Sequence, residues 1–134
     1  MIKGIDHISI AVLDISRAAA FFENALGLKI SHTQEVPQQG VKIAFIELGN
    51  TSVELIEPLN ESANLNKFLK KRGQGLHHIA FAVDDIEKLL SSLREKGVKL
   101  IDETPRTGAE GKKIAFLYPD ESTGVLIEIC EARE

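Results

Sequence analysis

The chain has 134 residues, 43% of them hydrophobic and 27% charged, with a formal net charge of −4. That length supports one core of ordinary domain size, the negative balance argues against a protein that holds nucleic acid by neutralising phosphates, and no apolar run approaches a membrane span. A single cysteine, Cys130, excludes an internal disulfide and a thiolate-rich zinc site, which fits a cytoplasmic address, and the start Met1-Ile2-Lys3-Gly4-Ile5-Asp6-His7 lacks the apolar run of a signal peptide.

In chain order, the first apolar alternation is Asp6-His7-Ile8-Ser9-Ile10-Ala11-Val12-Leu13-Asp14-Ile15. It reads as a strand with Ile8, Ile10 and Val12 on one face and His7, Ser9 and Ala11 on the other. A helix-like segment follows from Ser16 to Leu26 and stops at Gly27, which takes the left-handed position after a helix at low cost. Three strand-like runs come next, Leu28 to Thr33, Val41 to Leu48 and Thr51 to Ile56, the last two joined by Gly49-Asn50 as a tight hairpin. Pro58 to Gly75 holds a short amphipathic helix, with Leu65, Phe68 and Leu69 inward, Lys67, Lys70, Lys71 and Arg72 outward, and Gly73 at its end.

The pattern then repeats. His77-His78-Ile79-Ala80-Phe81-Ala82-Val83-Asp84-Asp85-Ile86 answers the first strand 71 positions later, so that His78 corresponds to His7. A helix from Asp85 to Lys96, stopped by Gly97, carries Ile86, Leu89, Leu90 and Leu93 at the i, i+3, i+4, i+7 spacing of one buried face. Strand-like runs follow at Val98 to Ile101, Lys112 to Tyr118 and Val125 to Cys130, with a glycine-rich loop, Thr104 to Gly111, before the middle one. The expected architecture is α+β: one domain over residues 1–134 made of two tandem βαβββ modules, 3–58 and 76–132, joined by a connector over 59–75.

Four polar residues sit where a packed sheet would carry apolar ones. His7 and His78 lie on the face away from the helices, beside small residues that leave room for a ligand. Glu54 stands between Val53 and Leu55, and Glu128 between Ile127 and Ile129. A carboxylate at the centre of an apolar strand is costly unless it is paired or bound to a cation. One such residue alone is commonly structural, but the same His and Glu recur in both copies. Two imidazoles and two carboxylates suit a divalent first-row ion.

The paired segments around His7 and His78 resemble the vicinal oxygen chelate superfamily, whose members include glyoxalase I, extradiol dioxygenases and fosfomycin-resistance proteins. The resemblance covers nearly the whole chain and implies two βαβββ modules forming a cupped mixed sheet around one metal, with His7, Glu54, His78 and Glu128 at the ligand positions. Within the superfamily the chain is similar to the methylmalonyl-CoA epimerases. The similar segments are Gly75-Leu76-His77-His78-Ile79-Ala80, Pro105-Arg106-Thr107-Gly108 with Gly111, and Pro119 with Gly124-Val125-Leu126-Ile127-Glu128; the first half adds Pro37-Gln38-Gln39-Gly40-Val41 and Pro58-Leu59. Two positions depart from that pattern: Ile43 stands where several epimerases carry a glutamate base, and Glu54 where some carry glutamine.

The resemblance implies a metal-dependent isomerase that interconverts the 2R and 2S forms of methylmalonyl-CoA. The α proton is removed and the resulting enolate is stabilised by a divalent metal, with Co²⁺ or Mn²⁺ favoured over Zn²⁺ or Ni²⁺. Glu128 and Glu54 are the expected acid/base groups, and Arg106, Lys112 and Lys113 the expected contacts for the phosphates of the acyl-CoA. A homodimer is implied by the family alone. The alternatives are a glyoxalase I-type lactoylglutathione lyase, whose ligand set is the same, and a non-catalytic binding protein on the same fold. Glu47 and His32 read as surface residues, His77 as structural or as a support behind the ligand positions, and Cys130 as a small apolar filler.

Overall fold

Two aspartates set the starts of the two long helices. The Asp14 side chain accepts the N–H groups of Ser16 at 2.9 Å and Arg17 at 3.4 Å, opening α1 (Ile15–Leu26). Asp85 accepts the Lys88 N–H at 3.1 Å, opening α3 (Ile86–Glu95). A carboxylate in this place satisfies donors that have no partner within the helix. The structure, a computed structural model, describes residues 1–131, so the expected module end at 132 lies outside the described residues.

The first module runs β1 (Ile2–Ala11), α1, β2 (His32–Val36), β3 (Val41–Glu47) and β4 (Ser52–Pro58). The connector carries α2 (Leu65–Arg72), and the second module runs β5 (Gly75–Val83), α3, β6 (Arg106–Thr107), β7 (Lys113–Leu117) and β8 (Leu126–Glu131). Each module is therefore βαβββ, a mixed α+β fold. The strands lie in the order β2-β3-β4-β1 in the first and β5-β8-β7-β6 in the second. In each, the His-bearing strand is parallel to the Glu-bearing strand (β1 to β4, β5 to β8), and the remaining pairings are antiparallel. By its contacts the chain divides into two compact units, residues 7–77 and residues 1–6 with the chain from His78 onward.

Each unit has its own apolar core under a helix. In the first, Val12, Ile15, Ala19, Ala44, Ile46 and Leu55 cluster, with Ile10 and Val53 packed against them. In the second, Val83, Ile86, Leu89, Leu90, Leu100, Ala115 and Ile129 cluster. The strand alternation thus places Leu55 and Ile129 under helices and sends Glu54 and Glu128 to the opposite face. The hairpin after β3 closes through the Leu48 N–H and the Thr51 carbonyl at 2.9 Å, with Gly49 at φ 80°.

Most expected strands shift by only one or two residues at their ends, but two expected runs form little or no ladder and one strand forms in an expected loop. The run Leu28 to Thr33 is strand only at its end: Leu28 and Ile30 pack against the first core as extended chain, and pairing begins where the Ser31 N–H reaches the Phe45 carbonyl at 2.8 Å. Burial, not ladder formation, is what their alternation encoded. The run Val98 to Ile101 contributes one isolated bridge, Leu100 to Leu117. There the Phe116 N–H is taken by the Asp102 carboxylate at 2.8 Å, which ends the ladder with a side chain. The short strand β6 forms instead at Arg106–Thr107, inside the segment expected to be loop.

Candidate functional site

His7 on β1 aligns with Ser52 on β4, and Ser9 aligns with Glu54. His78 on β5 aligns with Leu126 on β8, and Ala80 with Glu128. The offset is the same in both: the carboxylate lies two residues beyond the partner of the histidine. On the other side of each carboxylate strand an aromatic residue stands opposite it, Phe45 across from Glu54 and Phe116 across from Glu128. All four polar residues are buried, with exposures of 5% for His7, 6% for Glu54, 6% for His78 and 4% for Glu128.

Within the first unit His7 Nδ1 lies 3.3 Å from Glu54 Oε2. Within the second, His78 Nε2 lies 2.9 Å from Glu128 Oε1. Burying a carboxylate without a partner would cost several kcal/mol, and the imidazole beside each one offsets part of that cost. An imidazole and a carboxylate that hold one another through a proton are also the groups a divalent cation takes up when it displaces that proton. The donor set therefore fits a borderline first-row ion.

An aromatic residue braces the second pair. The Phe116 ring meets His78 edge to face, with centroids 5.3 Å apart. The Arg106 guanidinium lies 5.6 Å from the centre of the same ring. Asp102 holds this group from behind: its Oδ1 accepts Arg106 Nε at 3.1 Å while its Oδ2 accepts the Phe116 N–H at 2.8 Å. In the first unit His32 stacks on Phe45 at 4.3 Å, so this exposed histidine, although on the surface, also covers the ring opposite Glu54. His77 is half-buried and meets Phe68 of α2 edge to face at 4.8 Å.

The three basic residues near the glycine-rich loop differ in their surroundings. Lys112 Nζ lies 3.2 Å from the Asp6 carboxylate and 3.9 Å from Glu110. Burial pulls its pKa down, but the charges of Asp6, Cys130 and Glu110 and the hydrogen bond to Asp6 outweigh that and leave it raised. Arg106 carries Asp102 as described, and Lys113 is exposed. Glu47 is exposed, and Cys130 is buried with Ile114 and Phe116. Ile43, at 3% exposure, is a core residue aligned with Ile56 and offers no proton acceptor.

Sequence reasoning missed Asp102 and a second pair of carboxylates. Glu57 Oε1 accepts the Ile15 N–H and Glu131 Oε2 the Ile86 N–H, both at 2.8 Å. The available signal was position, since each stands three residues after the buried glutamate of its own copy.

Residues 6–116 match the Glyoxalase/Bleomycin resistance protein/Dioxygenase superfamily model. Among curated proteins the chain is 49% identical to the uncharacterized protein YqjC of Bacillus subtilis, over 96% of this chain and 92% of that one. It is 39% identical to the ethylmalonyl-CoA/methylmalonyl-CoA epimerase of Cereibacter sphaeroides, over 96% of this chain and 98% of that one. Among solved structures it superposes on a variant of Streptomyces coelicolor methylmalonyl-CoA epimerase in complex with 2-nitronate-propionyl-CoA, with a TM-score of 0.93, 34% identity, and coverage of 98% of this chain and 96% of that one. With the fold, the repeated His–Glu register and near-full-length similarity in agreement, the chain belongs to the glyoxalase/bleomycin resistance protein/dioxygenase superfamily and, within it, to the methylmalonyl-CoA epimerase family of isomerases.

Proposed function

We propose that this enzyme interconverts the 2R and 2S forms of methylmalonyl-CoA, with His7, Glu54, His78 and Glu128 sharing one divalent cation. The observation that carries the reading is the buried His–Glu pair occurring twice in the same register, in a chain 39% identical to a protein named ethylmalonyl-CoA/methylmalonyl-CoA epimerase. Co²⁺ or Mn²⁺ is favoured, ahead of Zn²⁺ or Ni²⁺. When bound, the cation supplies Lewis acidity that polarises the substrate's carbonyl oxygens and lowers the cost of the charge left when the α proton departs.

Epimerisation takes a proton from one face of the α carbon and returns it on the other, so it needs two acid/base groups. Glu128 and Glu54 fill these roles in our reading, because Ile43 cannot and the pseudo-equivalent strands bring one buried carboxylate from each module. Phe45 and Phe116 stand opposite the two carboxylates, which are themselves buried from solvent. Arg106, Lys112 and Lys113 are the proposed contacts for the CoA phosphates. Lys113 is exposed, whereas Arg106 and Lys112 would exchange a carboxylate partner for a phosphate.

The reading also carries one domain over residues 1–134 and a cytoplasmic homodimer, the oligomer being measurable by light scattering. Among the described residues no helix is long and apolar enough to cross a membrane.

The deciding experiment is α-proton exchange followed by NMR in deuterated buffer. One sample contains methylmalonyl-CoA, and a second contains the hemithioacetal of methylglyoxal and glutathione. Exchange with the CoA thioester is expected. Exchange with the glutathione adduct alone would replace this reading with a lactoylglutathione lyase.

A further inference from the structure

Ser9 stands two residues past His7 on β1 and aligns with Glu54 across the β1/β4 pair. Its side chain is fully buried, and among the described residues its Oγ is a buried polar atom without a hydrogen-bond partner. Leaving a buried hydroxyl unsatisfied is destabilising, because its hydration is lost and nothing replaces it. Packing does not demand that cost, as the second module demonstrates: the equivalent residue is Ala80, equally buried and aligned with Glu128 in the same way. A methyl group fills the place there, so the Ser9 oxygen adds a donor and no needed volume.

The register offers that donor an acceptor. Aligned residues on neighbouring strands point to the same face with the strands about 4.8 Å apart, so a change of χ1 rotamer brings a serine hydroxyl towards the side chain of its neighbour without moving the backbone. Glu54 is that neighbour, and its Oε2 faces His7 Nδ1 at 3.3 Å. We propose that Ser9 is a positioning residue for Glu54: when His7 and Glu54 turn from one another to a shared divalent cation, the Ser9 hydroxyl replaces the imidazole and donates to the Glu54 carboxylate. The proposal rests on the shared-cation reading above.

Partners of this kind orient a ligating carboxylate and commonly change metal affinity by roughly 10- to 100-fold. Ala80 offers Glu128 nothing comparable. The two carboxylates are therefore unequal, with Glu54 the restrained one.

The test compares the wild-type protein with Ser9→Ala, both stripped of metal and then titrated with Co²⁺ alone, following calorimetric binding and the melting temperature. Metal-free Ser9→Ala should melt no lower than wild type, because an unsatisfied hydroxyl has been removed. Its Co²⁺ dissociation constant should rise about 10-fold or more, and its Co²⁺-induced gain in melting temperature should shrink. Equal Co²⁺ dissociation constants, with or without a lower metal-free melting temperature, would overturn the role given to Ser9 and leave the shared cation standing. If wild-type protein takes up neither Co²⁺ nor Mn²⁺, the shared-cation reading and the role of Ser9 are both overturned.

Discussion

The Glu131 carboxylate accepts the Ile86 N–H at 2.8 Å, tying the end of the last described strand to the first turn of α3. Glu57 does the same for Ile15 and α1. An anion at a helix N-terminus satisfies an orphan donor and complements the helix dipole, and both glutamates are half-buried, where that contribution is less screened. Replacing either by alanine should lower stability by about 1.5–3 kcal/mol, as for other hydrogen bonds to charged groups. Urea denaturation should show this as a lower midpoint at unchanged slope; a midpoint within error of wild type would remove the helix-anchoring role.

The pair Glu128 and His78 leads to a kinetic expectation. Glu128→Gln keeps the shape and a hydrogen-bonding oxygen but removes a proton acceptor. Exchange of the α proton should fall by about 10²–10⁴ while circular dichroism stays as in wild type. Near-normal exchange would take Glu128 out of the chemistry.

Metal removal should act on stability as well as on rate. A cation that binds only the folded chain stabilises it, by about 2.7 kcal/mol at a hundredfold excess over its dissociation constant. Exhaustive chelation should therefore lower the melting temperature and abolish exchange, and added Co²⁺ should restore both. Activity that survives chelation would argue against a shared ion.

Lys112 supplies a pH dependence. Its pKa in the folded chain is raised above the ordinary 10.5, chiefly by Asp6 against the opposing effect of burial. A group raised on folding contributes its full stabilisation below the unfolded pKa and loses it as the pH climbs through the folded one. Lys112→Met should thus be less stable than wild type by roughly 1 kcal/mol near neutrality, with the gap closing only above pH 10.5. A gap that widens with rising pH would contradict the Asp6 pairing.

Much of this architecture is legible in the amino-acid sequence. The second copy of the His-bearing strand exposed the duplication, and alternation around Leu55 and Ile129 told which face of each strand meets a helix. The pairing of His7 with Glu54 and of His78 with Glu128 depends on parallel register, which alternation alone does not set. Elements failed where one signal had two physical sources. Leu28 and Ile30 alternate like a strand because they are half-buried, yet they pair with nothing in the ladder. Asp102 was invisible because a side chain that ends a strand by taking a backbone N–H leaves no periodic trace.

The common two-residue stagger of histidine and glutamate in both modules also bears on how such a chain tolerates change in length. Gaining or losing one residue inside β4 or β8 would turn Glu54 or Glu128 towards the helix and bring a valine, leucine or isoleucine round in its place. The segment between β6 and β7 faces no such restriction, and there the second copy is built differently from the first, with a bend at Glu110 where the first has Pro37–Gln39. Natural length variation in descendants of this chain should collect in those connections and spare the two carboxylate strands.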